Sequence, residues 1–483
     1  MWGENPAFPV FCQKCYRSDS WQPQEHTLDL NRSFLEQFQE LVNQSPHPAR
    51  TLNEPIENSD YCNAATGLKN CYMSFEIGLA ENCFYCHRTQ YAKNCIDISL
   101  NQGGEFLYNC LACTDSYQVR WSEFAVKCSD SIFLYDCVDC TNCAFSTGLR
   151  HESFVFMNQQ LTEEAYKKRI NELNTGSYAK IQEYKKKFEK IKADYPKKSI
   201  IGLNNEQVSG NIIYNCKNAE NSWDARNSEN IVNTLAMWDT KDLLDVDTYG
   251  FGAELIHSCV AAGGQVSNMQ YCADCFTNNN NIMYSMGVTS SHDCFGCAYG
   301  KNMKYSILNK EYSPEEYASL RDAIITDMKK RGEYGQMFNK ELVPFPYNLS
   351  TAYLNMPLTR QQAEGLGYKW TERSIPRISD DQVFTPPDDI ANTEWSDIEG
   401  KYLVCIESHR PFKIIQQEFL FYKKYNIPLP RIHPEIRFLK RYPKDIFFDL
   451  HEATCSNCNK KVVSSMPAED KLLCDECYRE KVI

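Results

Sequence analysis

The chain has no run of about eighteen or more apolar residues, which excludes an ordinary membrane-crossing helix. Its start, MWGENPAFPVFCQKC, lacks the basic and apolar regions of a secretory signal, so a cytoplasmic location with no membrane association is expected. There is no phosphate-binding glycine loop, no nucleophile elbow and no HExxH, which removes the most legible catalytic constellations. Positive charge is also short: 51 Lys and Arg stand against 63 Asp and Glu, a net charge of −12. A molecule of that sign has no general attraction to nucleic acid.

What is present is cysteine, 24 residues in 483, together with 13% aromatics. Without a secretion signal, reduced core thiols and zinc ligands take precedence over disulfides. Between Lys69 and Ser99 the dipeptide Asn-Cys recurs at Asn70-Cys71, Asn82-Cys83 and Asn94-Cys95, always twelve residues apart. Runs this short cannot bury an apolar face alone, but stacked they form a continuous core. The expected fold is therefore mainly β with helical insertions, a duplicated β-solenoid or β-helix-like stack followed by C-terminal zinc ribbons.

The duplication is read from matched segments: Lys93-Asn94-Cys95-Ile96 with Lys241-Asp242-Leu243-Leu244, at an offset of 148, and, further on, Cys140-Thr-Asn-Cys143 with Cys294-Phe-Gly-Cys297. Cys71, Cys83 and Cys95 fall opposite Ser222, Ile231 and Leu243, an exchange that a metal ligand does not tolerate. Packing is the better role for these thiols. Two alternative four-thiolate sets remain on spacing alone: Cys272, Cys275, Cys294 and Cys297, and Cys83, Cys86, Cys110 and Cys113. Ladder packing is preferred for both.

In order, the chain divides into 1–22, a half zinc knuckle with Cys12 and Cys15; 23–57, a helix over Asn31–Val42 and a linker; 58–195, the first stack copy ending in a helical hairpin; and 205–331, the second copy with its helix. Ser313, Pro314 and Glu316 predict a capping box there. An extended linker (332–396), a basic degenerate ribbon (397–443) and a zinc ribbon (444–483) follow. Cys455-Ser-Asn-Cys458 and Cys474-Asp-Glu-Cys477 have the spacing that sets four thiolates around one structural Zn2+. From Lys401 onward, 15 basic residues face 11 acidic ones, so any contact with nucleic acid is expected through 410–444, with Arg431, Arg437, Lys440 and Arg441 as candidates.

Residues 397–443 resemble a zinc-ribbon family through Cys405, Phe412, Glu418, Phe421-Tyr422 and Arg437; Ser408, His433 and Ile436 stand at the other ligand positions. More widely, CYRSDSW, KNCY, YSILNKEYSPEEY, PFPYNLSTAYLNMPLT and PLPRIHPEIR resemble uncharacterised cysteine-rich proteins of candidate phyla radiation bacteria. That resemblance implies an architecture and supplies no activity. Three functions are weighed: a non-enzymatic scaffold for an unidentified protein partner, a nucleic-acid- or ribosome-associated factor, and a β-helix enzyme acting on polysaccharide through carboxylates such as Asp97, Asp130, Asp136, Asp139 and Asp245.

Overall fold

A computed structural model of the chain describes residues 10–11, 23–48, 50–248, 253–261, 263–343, 345–372, 375–442 and 447–482. Cys12 and Cys15 lie outside the described residues. Two long sheets dominate, one of twelve strands over 52–160 and one of eleven over 202–311. In both, nearly every strand pairs in parallel with its neighbour along the chain. From Ile56 onward the first sheet keeps a twelve-residue register, Asn63 opposite Phe75 opposite His87 opposite Ser99. In the second the register begins at eleven, becomes twelve at Gly210 opposite Ser222, lengthens to thirteen from Leu243 through Ile256 and Met269 to Ile282, and returns to twelve at Cys294.

Within each twelve-residue rung the backbone follows a second, shorter period. From Asn58 to Met157 every third residue has φ near +50°, the left-handed region. Each rung therefore turns four corners, and the residue after each corner points inward. Cys62, Ala65, Leu68, Cys71, Ser74 and Ile77 illustrate the sequence, all buried. Ordinary strands alternate with period two; here period three replaces it because each side is only three residues long. Val, Ile and Thr never occupy a corner between 58 and 157, as their branched Cβ makes positive φ most costly. Asn tolerates the corner best, and its amide adds a ladder: Asn70 Nδ2 donates to Asn82 Oδ1 at 3.1 Å, and Asn82 Nδ2 to Asn94 Oδ1 at 2.9 Å. The Asn-Cys dipeptide is thus a corner followed by an interior residue.

All eleven cysteines from Cys62 to Cys143 fall on the interior phase. They behave there as serine does. Cys83 Sγ donates to Glu81 O and Ala92 O at 3.4 Å, while Ser74 Oγ donates to Tyr72 O at 3.1 Å and Cys83 O at 3.3 Å, two residues back and one rung on. Burial pushes the Cys62 thiol up to about 12 and Cys216 up to about 11, so both stay protonated and unreactive. The packing role expected for Cys71, Cys83 and Cys95 is the one observed. One correspondence is corrected: Ala219, Ile231 and Leu243 share a column, whereas Ser222 pairs with Thr234 on the next, so Ala219 is the counterpart of Cys71.

The two ladders end alike. A two-residue antiparallel strand folds back, Gln159–Gln160 in one and Lys310–Glu311 in the other, and a capped helix follows. Asn158 Oδ1 accepts from Thr147 N at 2.9 Å, and Asn309 Oδ1 from Ala298 N at 2.8 Å. After the first ladder come α2 (Glu163–Asn171) and α3 (Tyr178–Asp194), the expected hairpin, and after the second α4 (Pro314–Arg331) with its capping box. The expected N-terminal helix is α1 (Phe34–Gln44), and it covers the second ladder. Gly296, at φ +65°, lies so close beneath the Phe34 ring that a Cβ there would stand 2.3 Å from it. The linker is not extended throughout: Thr359 and Gln362 form a capping box on a short helix, Arg360–Gly365, because Thr and Gln at that spacing satisfy each other's end of the first turn.

Asn82→Val should lower stability by about 3 kcal/mol, from an unfavourable corner plus two lost ladder bonds, and Asn82→Gly by about half as much. Chemical denaturation of the two variants checks the order; equal losses would mean that the corner imposes no restriction.

Candidate metal centre and the basic segment

The hairpin of His451–Thr454 with Lys461–Ser464 presents Cys455 and Cys458, and α7 (Asp475–Val482) begins between Cys474 and Cys477. The hairpin turn fixes the first pair. Cys455 N donates to Lys460 O at 2.9 Å and Asn459 N to Cys455 O at 3.0 Å, with Asn459 at φ 61°. The four sulfurs lie within 4.8 Å of one another, and Cys458 Sγ is 3.7 Å from Cys474 Sγ. A tetrahedral thiolate shell with 2.3 Å metal–sulfur bonds has edges of about 3.8 Å, so the set could hold one metal ion. Burial raises the Cys455 thiol, but the amides of Cys474, Cys458 and Asn457 outweigh it and hold it down to about 6, already favouring thiolate. Asn457 Nδ2 reaches Cys477 Sγ at 3.3 Å.

This centre is bonded to both ladders. Tyr478, the residue after Cys477, hydrogen-bonds with Asp136 at a corner of the first ladder, with Arg150 Nη2 at 2.8 Å and with Tyr195 at 2.9 Å. Leu472–Leu473 pairs in parallel with Lys197–Lys198, between the ladders. Asn211 Nδ2, on the second ladder, donates to Ser465 Oγ at 3.0 Å.

The other cysteine candidates do not converge in this way. Cys272, Cys275, Cys294 and Cys297 are interior ladder residues, and each thiol donates to a backbone carbonyl, Cys272 to Gln270 O at 3.2 Å and Cys294 to His292 O at 3.5 Å. Among the described residues the C-terminal four form the group of metal-ligating side chains brought together. The spacing misled because a three-residue period writes Cys-x-x-Cys whenever consecutive sides both carry cysteine. The same holds for Cys83, Cys86, Cys110 and Cys113.

Residues 403–442 repeat the geometry of the metal centre without its ligands. Cys405 N donates to Arg410 O and His409 N to Cys405 O, both at 3.0 Å, with His409 at φ 54°. After α5 (Gln416–Lys424), α6 (Pro434–Arg441) starts as α7 does, with Arg437 N on His433 O in the place of Tyr478 N on Cys474 O. His433 Nδ1 accepts from Glu435 N at 3.2 Å and so caps α6. Ser408, His433 and Ile436 therefore stand where Cys458, Cys474 and Cys477 stand.

Of the basic candidates Arg437 and Arg441 are turned inward, with side chains 9% and 8% exposed, whereas Lys440 is exposed. Arg437 Nε lies 3.2 Å and Arg441 Nη1 3.1 Å from the carboxylate of Asp97, a first-ladder corner residue only 1% exposed. Arg437 also approaches Glu418 at 3.7 Å and covers the Tyr85 ring at 4.9 Å, while Tyr85 and Tyr422 hydroxyls donate to Glu418 at 2.8 and 2.7 Å. Lys440 pairs with Glu407, and Arg431 lies 4.3 Å over the ring of Tyr178. Asp97 was the signal available in the sequence, an acid at a column position held by Tyr85, Trp121 and Phe133 on neighbouring rungs. Only the fold shows which cations it meets.

No family model matches the chain, and no curated protein matches it. Among solved structures, a chain from Desulfovibrio desulfuricans G20 assigned by name to the acetyltransferases aligns with 48% of this chain at 10% identity. The match spans 63% of that neighbour's length with a TM-score of 0.11, a level that carries no argument about fold or activity. No helix among the described residues is long and apolar enough to cross a membrane.

Replacing Arg437 by Met leaves Asp97 and Glu418 buried against reduced positive charge and should cost about 3–5 kcal/mol. Denaturant midpoints measure it; a loss below about 1 kcal/mol would refute the pairing. Burial raises Glu418 above the usual carboxylate range, although Arg437 and the two tyrosines pull it down. A carboxyl that holds its proton more tightly when folded stabilises most at low pH, and that contribution fades as pH rises through its folded pKa. Glu418→Gln should flatten that limb of the stability–pH curve followed by urea denaturation.

Proposed function

We propose that the chain is a non-enzymatic scaffold. In this reading the two ladders are β-solenoid blocks made by internal duplication, clamped by one zinc ribbon loaded with Zn2+ and by a second ribbon that has lost its metal. The observation that carries it is the position of the four-cysteine set. A shell closed by four thiolates leaves no open position for a substrate, and the elements around it are bonded to both ladders, which is the work of a structural metal.

Two further observations support the reading. Four of the five acids considered for polysaccharide cleavage are engaged one by one: Asp97 by Arg437 and Arg441, Asp136 by Arg150 and Tyr478, Asp139 by His151 at 2.9 Å, and Asp245 by Asn233 Nδ2 at 2.8 Å. Glycoside hydrolysis needs carboxyl groups that oppose each other across a bond. The second ladder exposes columns of amides, Asn215 to Asn227 to Asp239 and Asn221 to Asn233 to Asp245, a polar repeating face open to a protein partner. The described cysteines are free thiols, which suits a reducing, cytoplasmic setting.

Elemental analysis should find about one zinc per chain, lost in Cys455→Ser together with resistance to proteolysis near 196–200, where the ribbon meets the junction. Unchanged zinc in that variant would sink the metal assignment. Pull-down of the full chain from native lysate should retain protein after nuclease treatment; recovery of RNA alone, abolished by nuclease, would overturn the scaffold reading.

A further inference from the structure

Part of the basic segment lines an enclosed space. Between the first ladder, α3 and residues 427–442 lies a cavity of about 580 Å³. Its floor is one corner column: Asp97, Asn109, Trp121 and Phe133 occupy the same corner on four successive rungs. Trp121 and Phe133 stack face to face at 5.2 Å with planes 14° apart, so the two rings cover each other and turn their edges to the space. Opposite it, Lys185 comes from α3, Arg431 from the 427–432 strap, and Arg437, Lys440 and Arg441 from α6. Five cations and three acids, Asp97, Glu123 and Glu189, line the space, in a chain of net charge −12.

Much of that positive charge is uncompensated. Glu123 and Glu189 are both taken by Lys192, which does not line the cavity, at 2.7 and 3.2 Å. Lys185 and Arg431 have no carboxylate partner within 4.0 Å among the described residues. The Arg441 side chain is 8% exposed; its Nη1 faces Asp97 and Arg437 O, but Nε and Nη2 have no hydrogen-bond partner, nor does Arg431 Nε. The Nε and Nη2 pair is the edge with which a guanidinium grips an oxyanion at two points. Buried donors left unpaired are costly and are normally satisfied. Burial lowers Lys185 to about 8, with Arg441 and Lys440 adding to the shift while Asp97 and Glu189 oppose it, so the site resists more positive charge and favours an anion.

We propose that this cavity binds a small phosphate monoester, the phosphate held by Lys185, Arg431 and the free edge of Arg441. A phosphate monoester carries close to two negative charges near neutral pH, matching the two cations that lack counter-ions. The volume lies within the range of ordinary small-ligand sites. A polymeric nucleic acid fits poorly, because α3 and the 427–442 segment close over the phosphate-binding side chains.

Titration calorimetry on the full chain tests this with adenosine monophosphate, adenosine and inorganic phosphate as probes. Adenosine monophosphate should bind at one saturable site, inorganic phosphate should compete with it, and adenosine should bind at least about tenfold more weakly. Lys185→Gln, which breaks no ion pair, should weaken both adenosine monophosphate and inorganic phosphate about tenfold at unchanged melting temperature. Equal binding of adenosine, an unaffected Lys185→Gln variant, or no binding of either phosphate probe at millimolar concentration would each overturn the proposal.

Discussion

A left-handed residue at every third position is the constraint on which the rest of the molecule depends. It makes each side of a rung three residues long, so four sides close a rung in twelve residues and one residue in three faces inward. The interior is therefore narrow and favours small side chains. Cysteine, serine and alanine recur there, and a thiol or hydroxyl can reach the carbonyl of the next rung as well as its own. Positive φ costs on the order of 1 kcal/mol or more for each residue with a Cβ. That cost is offset only when parallel hydrogen bonding, amide ladders and stacked aromatics run along the whole column. A single rung would not be stable; a stack is.

The same corners provide the attachment points for everything else. A corner side chain points away from the interior, so a column of corners makes a stripe along the ladder, and the stripe from Tyr85 to Phe145 is aromatic except at Asp97 and Asn109. α3 packs on its upper part through Phe188 against Phe133 at 5.7 Å. α6 packs where the acid interrupts the aromatics. The ladders are joined to each other by a comparable device, Arg226 of the second reaching Thr114 Oγ1 and Leu100 O of the first at 2.7 Å each.

Part of this was legible beforehand. The twelve-residue Asn-Cys spacing, the two copies and the four C-terminal cysteines are local signals, and each corresponds to an element of the fold. Cys272, Cys275, Cys294 and Cys297 were ambiguous because period three and a metal knuckle write the same four letters. For Cys83, Cys86, Cys110 and Cys113 the absence of Val, Ile and Thr from every third position between Asn58 and Met157 separates the two readings; the second ladder, with Ile212, Thr248 and Thr277 at left-handed positions, does not keep that rule. Arg437 and Arg441 were misplaced for a different reason: a cluster of positive charge in sequence does not reveal whether its partners are solvent, phosphate or an acid more than 300 residues away.

The two tail modules dock by one plan with different chemistry. In each, a hairpin knuckle with a left-handed fifth residue precedes a helix, and the residue just past the fourth ligand position reaches a ladder corner: Tyr478 to Asp136 in one, Arg437 to Asp97 in the other. The C-terminal module has four thiols to fix the knuckle against its helix. The 403–442 module keeps only Cys405, and its internal ties are of another kind: His433 caps α6, Arg410 of the knuckle pairs with Glu435 of α6, and Glu418 of α5 gathers Arg437 with the hydroxyls of Tyr85 and Tyr422. These contacts do what a metal does, holding hairpin and helix in one geometry, but they also run through the ladder. A module tied in this way depends on the ladder for its geometry, and Arg437 and Arg441 turn inward because the acids that hold them lie there.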